Sequence, residues 1–151
     1  ALQTLNTYGA NPFDAAIAAG AHLSFKDLGS LKGAYFGAMP KPTIVINSNM
    51  DEHIQKVVCA HELGHYILHK DLNVSCENID FSKSTQTGIL EREANIFAAA
   101  YLVDPKKATE LLSMGYTTYE CASIMETDVN LLLFLLSTIG ICNTPNSEFL
   151  N

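Results

Sequence analysis

At 151 residues, 48% of them apolar and only 17% charged, the chain is long enough for one domain with a real core, too short for two ordinary ones, and not disordered. Sixteen acidic against nine basic residues leave a net charge of −7, the wrong sign for a phosphate-binding surface, which argues against direct nucleic-acid binding. The longest apolar run, Leu131 to Leu136, is far too short to span a bilayer.

The N-terminus shows no basic segment followed by an apolar one, and Cys59, Cys76, Cys121 and Cys142 form neither a C-x-x-C pair nor a closely spaced framework. Both features fit a soluble cytoplasmic protein with reduced thiols, one that begins at Ala1 as a trimmed chain would. The expectation is a single domain over residues 1–151, with residues 116–140 as a C-terminal helical pair packed on it.

Asn11-Pro12 opens a short helix that Gly20 ends. Between His22 and Asn47 the runs His22 to Phe25, Gly33 to Gly37 and Thr43 to Asn47, broken by Gly, Lys and Pro, predict three strands of a small sheet. Pro40 and Pro42 stiffen the approach to the third. A substrate strand could pair with an exposed sheet edge, and Thr43 to Asn47 is the candidate edge because it leads directly into the next helix; the alternative is an interior strand paired on both sides.

Asn49 and Glu52 read as the cap and third position of that helix. It carries His61-Glu62-Leu63-Gly64-His65, an H-E-x-x-H motif. Two histidines four residues apart project from one helix face and can converge on one metal ion. Glu62 lies about 100° further round, where a general base for water has to stand. Ile54, Val57, Val58, Ala60, Leu63, Ile67 and Leu68 continue the apolar pattern on both sides, so the motif lies in a buried helix. Gly64 leaves space between the histidines for a neighbouring backbone or a substrate. The competing reading is two core histidines satisfied by hydrogen bonds, with Glu62 at a surface edge.

Leu72 to Gly88 is polar and aperiodic, and reads as a long surface loop. Helical spacing returns from Ile89 to Leu102, which carries Glu91 and Glu93. A catalytic zinc site usually has three protein ligands plus water, so a carboxylate from this second helix is the natural completion. Glu91 is preferred because Asn95, one turn later on the same face, could then orient a histidine or the carboxylate; Glu93 is the reserve, its other reading being an exposed helix charge. Asp104-Pro105 starts a helix that Gly115 stops, Thr117 to Glu120 forms a capping box, and Thr127 or Asp128 caps the last helix, which ends at Gly140. The final pair has the spacing of a helix-turn-helix, but Leu131 to Leu136 offers no hydrogen bonds to base edges, so it reads as packing.

The combination HELGHYILH followed by EREANIFAAAYLVDP, within roughly residues 42 to 105, resembles the ImmA/IrrE family of metallopeptidases. The resemblance implies an α+β, zincin-like fold, mainly helical, with a small N-terminal three-stranded sheet and the motif on the active helix. It implies a gluzincin-like site with His61, His65 and Glu91 on a metal, zinc or another divalent ion, and Glu62 as catalytic base. Family members are soluble proteins of bacteria, phages and mobile elements that typically cleave a helix-turn-helix repressor encoded nearby. The usual apolar-Pro end of the second motif is Val103-Asp104-Pro105 here.

Candidates for a second oxyanion donor are Tyr66, His69 and Tyr101. His69 lacks the spacing of a metzincin ligand and is expected to close the helix end, where a partly cationic ring suits the dipole. Cys76 is read as a free loop cysteine, with an inhibitory thiolate on the metal as the other reading. Two further functional readings stand beside the peptidase: a catalytically silent metal-binding module that regulates a repressor by association, and a structural zinc domain.

Overall fold

Asn11 opens the first helix, α1 (Pro12–Ala18), by accepting a hydrogen bond from the Phe13 N–H at 3.0 Å, while Pro12 sits at the first position, where its missing N–H costs nothing. Gly20, at φ 99°, turns the chain out of it. The computed structural model describes residues 10–76 and 88–141, in two compact units, Ala1–Leu102 and Val103–Asn151.

In the first unit α1 is followed by strands β1 (His22–Lys26), β2 (Gly33–Phe36) and β3 (Thr43–Asn47), helix α2 (Glu52–Leu68), strand β4 (Asn73–Cys76) and helix α3 (Ile89–Leu102). The sheet order is β1-β3-β2-β4. β2 and β3 pair antiparallel, with Gly33 opposite Ile46; β1 lies parallel to β3, and β4 antiparallel to β2. Thr43–Asn47 is therefore interior, not the exposed edge proposed from its place before α2. Its unbroken run Ile44-Val45-Ile46 is buried throughout, as suits a strand paired on both sides. The edges among the described residues are β1, which is largely exposed, and β4.

The three expected strands are present, and β4 joins them from the start of the segment read as a loop. Its sequence, Asn73-Val74-Ser75-Cys76, has little apolar patterning of its own, and β2 supplies the pairing. The Gly37 N–H reaches Leu72 O at 2.8 Å, and the Ala38 N–H reaches Asn73 Oδ1 at 3.2 Å. Residues 77–87 of that expected loop lie outside the described residues.

The cap of α2 is Asp51 and not Asn49. Asn49 is held in the preceding turn, where its N–H binds Asn47 Oδ1 at 3.0 Å. The buried Asn47 amide also donates to Gly29 O and Leu31 O, at 3.1 and 2.7 Å, and so sets the path by which β3 feeds α2. From Val58 to His65 every residue of α2 is buried, because α1, β2, β3 and α3 all pack around it. Tyr35, Ile44, Ile46, Val58, Leu63, Phe97 and Tyr101 form the centre of this core. The Tyr35 hydroxyl donates to Lys70 O at 2.7 Å, fastening β2 to the end of α2.

The second unit contains α4 (Pro105–Ser113), α5 (Thr118–Ile124) and α6 (Val129–Thr138). The Asp104 carboxylate accepts from the N–H groups of Lys106 and Lys107, the Thr117–Glu120 capping box is formed, and Asp128 caps α6. Helices α5 and α6 meet at 114°, and α6 buries Leu131, Leu132, Phe134, Leu135 and Leu136. Among the described residues no single helix is long and apolar enough to cross a membrane.

Candidate metal centre

One turn of α2 separates His61 from His65, so the rings stand one above the other with their Nε2 atoms 3.2 Å apart. Both are almost wholly buried. Between them Gly64 presents no side chain, and α3 crosses at that gap. A Cβ on Gly64 would lie 3.1 Å from Ala94 Cα and 3.3 Å from Ala94 O, so the absent side chain admits a neighbouring backbone. The close crossing brings Glu91 over the two rings, with Oε2 at 3.2 Å from His61 Nε2 and Oε1 at 3.3 Å from His65 Nε2. Donors on a tetrahedral ion with bonds of about 2.0–2.1 Å stand about 3.3–3.4 Å from one another. The two histidine nitrogens are spaced as ligands of one such ion, Glu91 turns a different oxygen to each ring, and one ligand atom from each of the three residues lies within 4.8 Å of the others.

The outward ring nitrogens show why the Nε2 atoms face inward. His61 Nδ1 is 2.8 Å from Asn95 Oδ1. An amide oxygen only accepts, so with a cation on Nε2 the His61 ring proton would sit on Nδ1 and be donated to Asn95. Asn95 thus meets the orienting role expected of it, from the same face of α3 as Glu91. Glu93 does not approach His61 or His65; its Oε2 is 2.9 Å from His69 Nε2. His69 in turn places Nδ1 at 3.0 Å from His65 Nδ1.

Glu62 is fully buried, and neither of its carboxylate oxygens has a hydrogen-bond partner among the described residues. Burial, with a smaller contribution from the nearby Glu91 charge, pushes its pKa well above the ordinary 4.5. Glu91 goes the other way: its hydrogen bonds to His61 and His65 hold the carboxyl far below the usual range. Burial lowers the pKa of His65 against the opposing pull of Glu91. The wall beside Glu62 is the backbone of β2. A Cβ on Gly33 would stand 3.0 Å from Glu62 Oε1 and 2.5 Å from Val58 Cγ1.

The oxyanion candidates are placed less favourably. The Tyr66 hydroxyl donates to Ala19 O at 2.6 Å and ties α2 to the end of α1. His69 has both ring nitrogens engaged. Tyr101 is buried and stacked on Phe97, with ring centroids 6.0 Å apart. The Cys76 side chain lies outside the described residues. Two contributors escaped the sequence reading, Gly33 and the His69–Glu93 contact. The second had a signal, because His69 repeats the four-residue spacing of His61 and His65.

The donor set of two imidazoles and one carboxylate beside an unpartnered buried acid is chemically suited to a divalent metal ion. Residues 16–127 match the family described as the IrrE N-terminal-like domain. The chain is also 33% identical over 122 residues, 76% of its length and 68% of the relative's, to a protein of Bacillus subtilis (strain 168) named Metallopeptidase ImmA. On that match and that identity, the chain belongs to the ImmA/IrrE family of metallopeptidases.

Proposed function

We propose that this metallopeptidase is a zinc-dependent endopeptidase in which His61, His65 and Glu91 hold the ion and Glu62 is the catalytic base. The observation that carries the reading is the buried Glu62 carboxylate, without a partner among the described residues, beside two imidazoles and a carboxylate whose ligand atoms lie within 4.8 Å of one another. A hydrogen-bonded pair of core histidines would need no such acid. Zinc, when bound, supplies Lewis acidity that eases both deprotonation of water and attack on a carbonyl. Glu62 takes the proton from the attacking water on one carboxylate oxygen and returns it to the leaving amide nitrogen. Asn95 holds the His61 ring in the orientation the ion needs.

The substrate in this reading is a helix-turn-helix repressor of a phage or mobile element, encoded nearby. The family resemblance supports it, and so does charge: a protein of net charge −7 attracts a basic DNA-binding partner while being repelled by the DNA itself. The reading places the protein in the cytoplasm, with its substrate.

The test pairs metal analysis with co-incubation of the neighbouring repressor, for wild type and Glu62→Gln. One zinc per chain in both proteins, with cleavage by the wild type alone, is the expected result. Stable association without cleavage products, unchanged in Glu62→Gln, would replace it with regulation by binding. Global unfolding on chelation, in place of loss of activity first, would make the metal structural.

A further inference from the structure

The two histidines are held from behind in different ways. His61 leans on a neutral amide that belongs to the same helix as Glu91. His65 leans on a second imidazole, which leans on a carboxylate. His69 is the C-cap of α2, where the backbone leaves the helix at φ −132° and ψ 49° while its N–H still binds His65 O at 2.7 Å. That departure folds the ring back, so that Nδ1 meets His65 Nδ1 at 3.0 Å and Nε2 meets Glu93 Oε2 at 2.9 Å. The His69 side chain is 6% exposed and the Glu93 side chain 50% exposed, so the line runs from the buried centre to solvent.

Resting on the assignment of His65 as a ligand through Nε2, we infer that His69 and Glu93 are positioning residues that lock the His65 proton on Nδ1 and strengthen its grip on the metal. The proton inventory follows in one direction. An ion on His65 Nε2 leaves the ring proton on Nδ1, which donates to His69 Nδ1. His69 must then carry its own proton on Nε2, and that proton is given to the Glu93 carboxylate, which accepts. Every nitrogen in the chain has a partner only in this arrangement. A carboxylate at the far end raises the basicity of the ligating nitrogen through the intervening ring, as partners of metal-bound imidazoles do. Closure of the helix end by the dipole accounts for a histidine at this position but not for a ring turned inward onto His65.

The experiment measures zinc affinity by competition with a chromophoric chelator, using metal-free protein whose fold is checked by circular dichroism. His69→Phe keeps the ring volume without the nitrogens, Glu93→Leu removes the terminal acceptor, and Glu93→Gln keeps a neutral one. Affinity falls by about 10- to 100-fold in the first two variants, the range typical for loss of such partners, and Glu93→Gln recovers most of it. Long-range nitrogen–proton spectra of the zinc-loaded wild type show His65 protonated at Nδ1 and His69 at Nε2. Affinity within twofold of wild type in folded His69→Phe, or His69 protonated at Nδ1, overturns the inference. Wild-type affinity in Glu93→Leu alone overturns the part given to Glu93. If His69→Phe does not fold, Glu93→Leu decides, since its side chain is half exposed. The parent assignment has its own control. If His65→Ala binds zinc as tightly as wild type, His65 is not a ligand, whereas loss in His65→Ala with no change in His69→Phe removes the positioning pair only.

Discussion

Gly64→Ala sets two effects of known size against each other. In a helix interior alanine is favoured over glycine by about 1 kcal/mol. Here the added Cβ would lie 3.1 Å from Ala94 Cα, 3.2 Å from Phe97 Cβ and 3.3 Å from Ala94 O. Carbon atoms pack best at about 3.5–4.0 Å, so α3 has to retreat by roughly half an ångström. Two of the three obstacles are backbone atoms, which no change of rotamer removes. Overpacking of this kind costs about 1–3 kcal/mol, so it outweighs the helix gain and leaves a net loss of about 1 kcal/mol. The metal reads the same retreat more sharply. Moving α3 carries Glu91 away from rings it now meets at 3.2 and 3.3 Å. Metal sites tolerate errors of only about 0.2 Å in ligand distance, so zinc affinity falls by about tenfold or more. Urea unfolding of the metal-free protein measures the first quantity, and competition titration with zinc the second. A Gly64→Ala protein more stable than wild type and undiminished in zinc affinity would show that the crossing does not depend on the missing side chain.

Gly33→Ala would place a methyl group 2.5 Å from Val58 Cγ1 and 3.0 Å from Glu62 Oε1, a tighter clash. It lowers stability by about 2–3 kcal/mol and cuts peptidase activity further than the lost folded fraction explains; an unchanged melting temperature would contradict this. Glu62 makes the metal-free protein pH-sensitive, because a carboxyl whose folded pKa lies above its unfolded value keeps its proton longer in the native state. That contribution is complete below about pH 4.5 and is lost as pH rises through the folded pKa, so metal-free Glu62→Gln gains stability relative to wild type as pH rises above about 4.5. A difference that stays constant across that range in chemical denaturation would contradict the assignment. Thr117→Ala removes the capping box of α5, in which Thr117 Oγ1 accepts from the Glu120 N–H at 3.3 Å and the Thr117 N–H donates to Glu120 Oε2 at 2.7 Å. It costs about 1 kcal/mol in denaturant unfolding, and zinc affinity stays at the wild-type value.

What the sequence made legible was local. The bounds of α3, the helix start at Asn11-Pro12 and the caps Asp104 and Thr117 rest on neighbours within a few residues and are found where expected, and of Thr127 and Asp128 it is Asp128 that caps the last helix. The convergence of His61 and His65 follows from helix pitch alone. What stayed hidden was set by partners distant in the chain. β4 has no pattern of its own and exists because β2 offers an edge. The interior place of β3 depends on β1 returning to its free side, although the unbroken Ile44-Val45-Ile46 run was a sign of it. Asn49 had the chemistry of a cap, but the turn in which its N–H donates to the Asn47 side-chain oxygen carries the chain two residues further, and the helix starts after Asp51. Between Glu91 and Glu93 the sequence favoured the residue with Asn95 one turn away, and the reason is geometric: positions 91 and 95 share a face of α3, so one meets Nε2 and the other Nδ1 of the same ring.

The centre is therefore a place where rules of stability are broken in company. A fully buried carboxylate without a partner costs several kcal/mol unless it is neutralised, and a second carboxylate nearby makes that cost larger. A glycine in mid-helix and another at the start of a strand each weaken their element, and both stand where a side chain would strike the site or the helix that completes it. None of these features helps the metal-free chain to fold, and each makes sense if a cation is bound by the folded state alone. Binding then returns stability in proportion to the logarithm of metal concentration over the dissociation constant, and relieves both carboxylates at once. A core in which two histidines were merely satisfied would have had no reason to collect all four defects around one point.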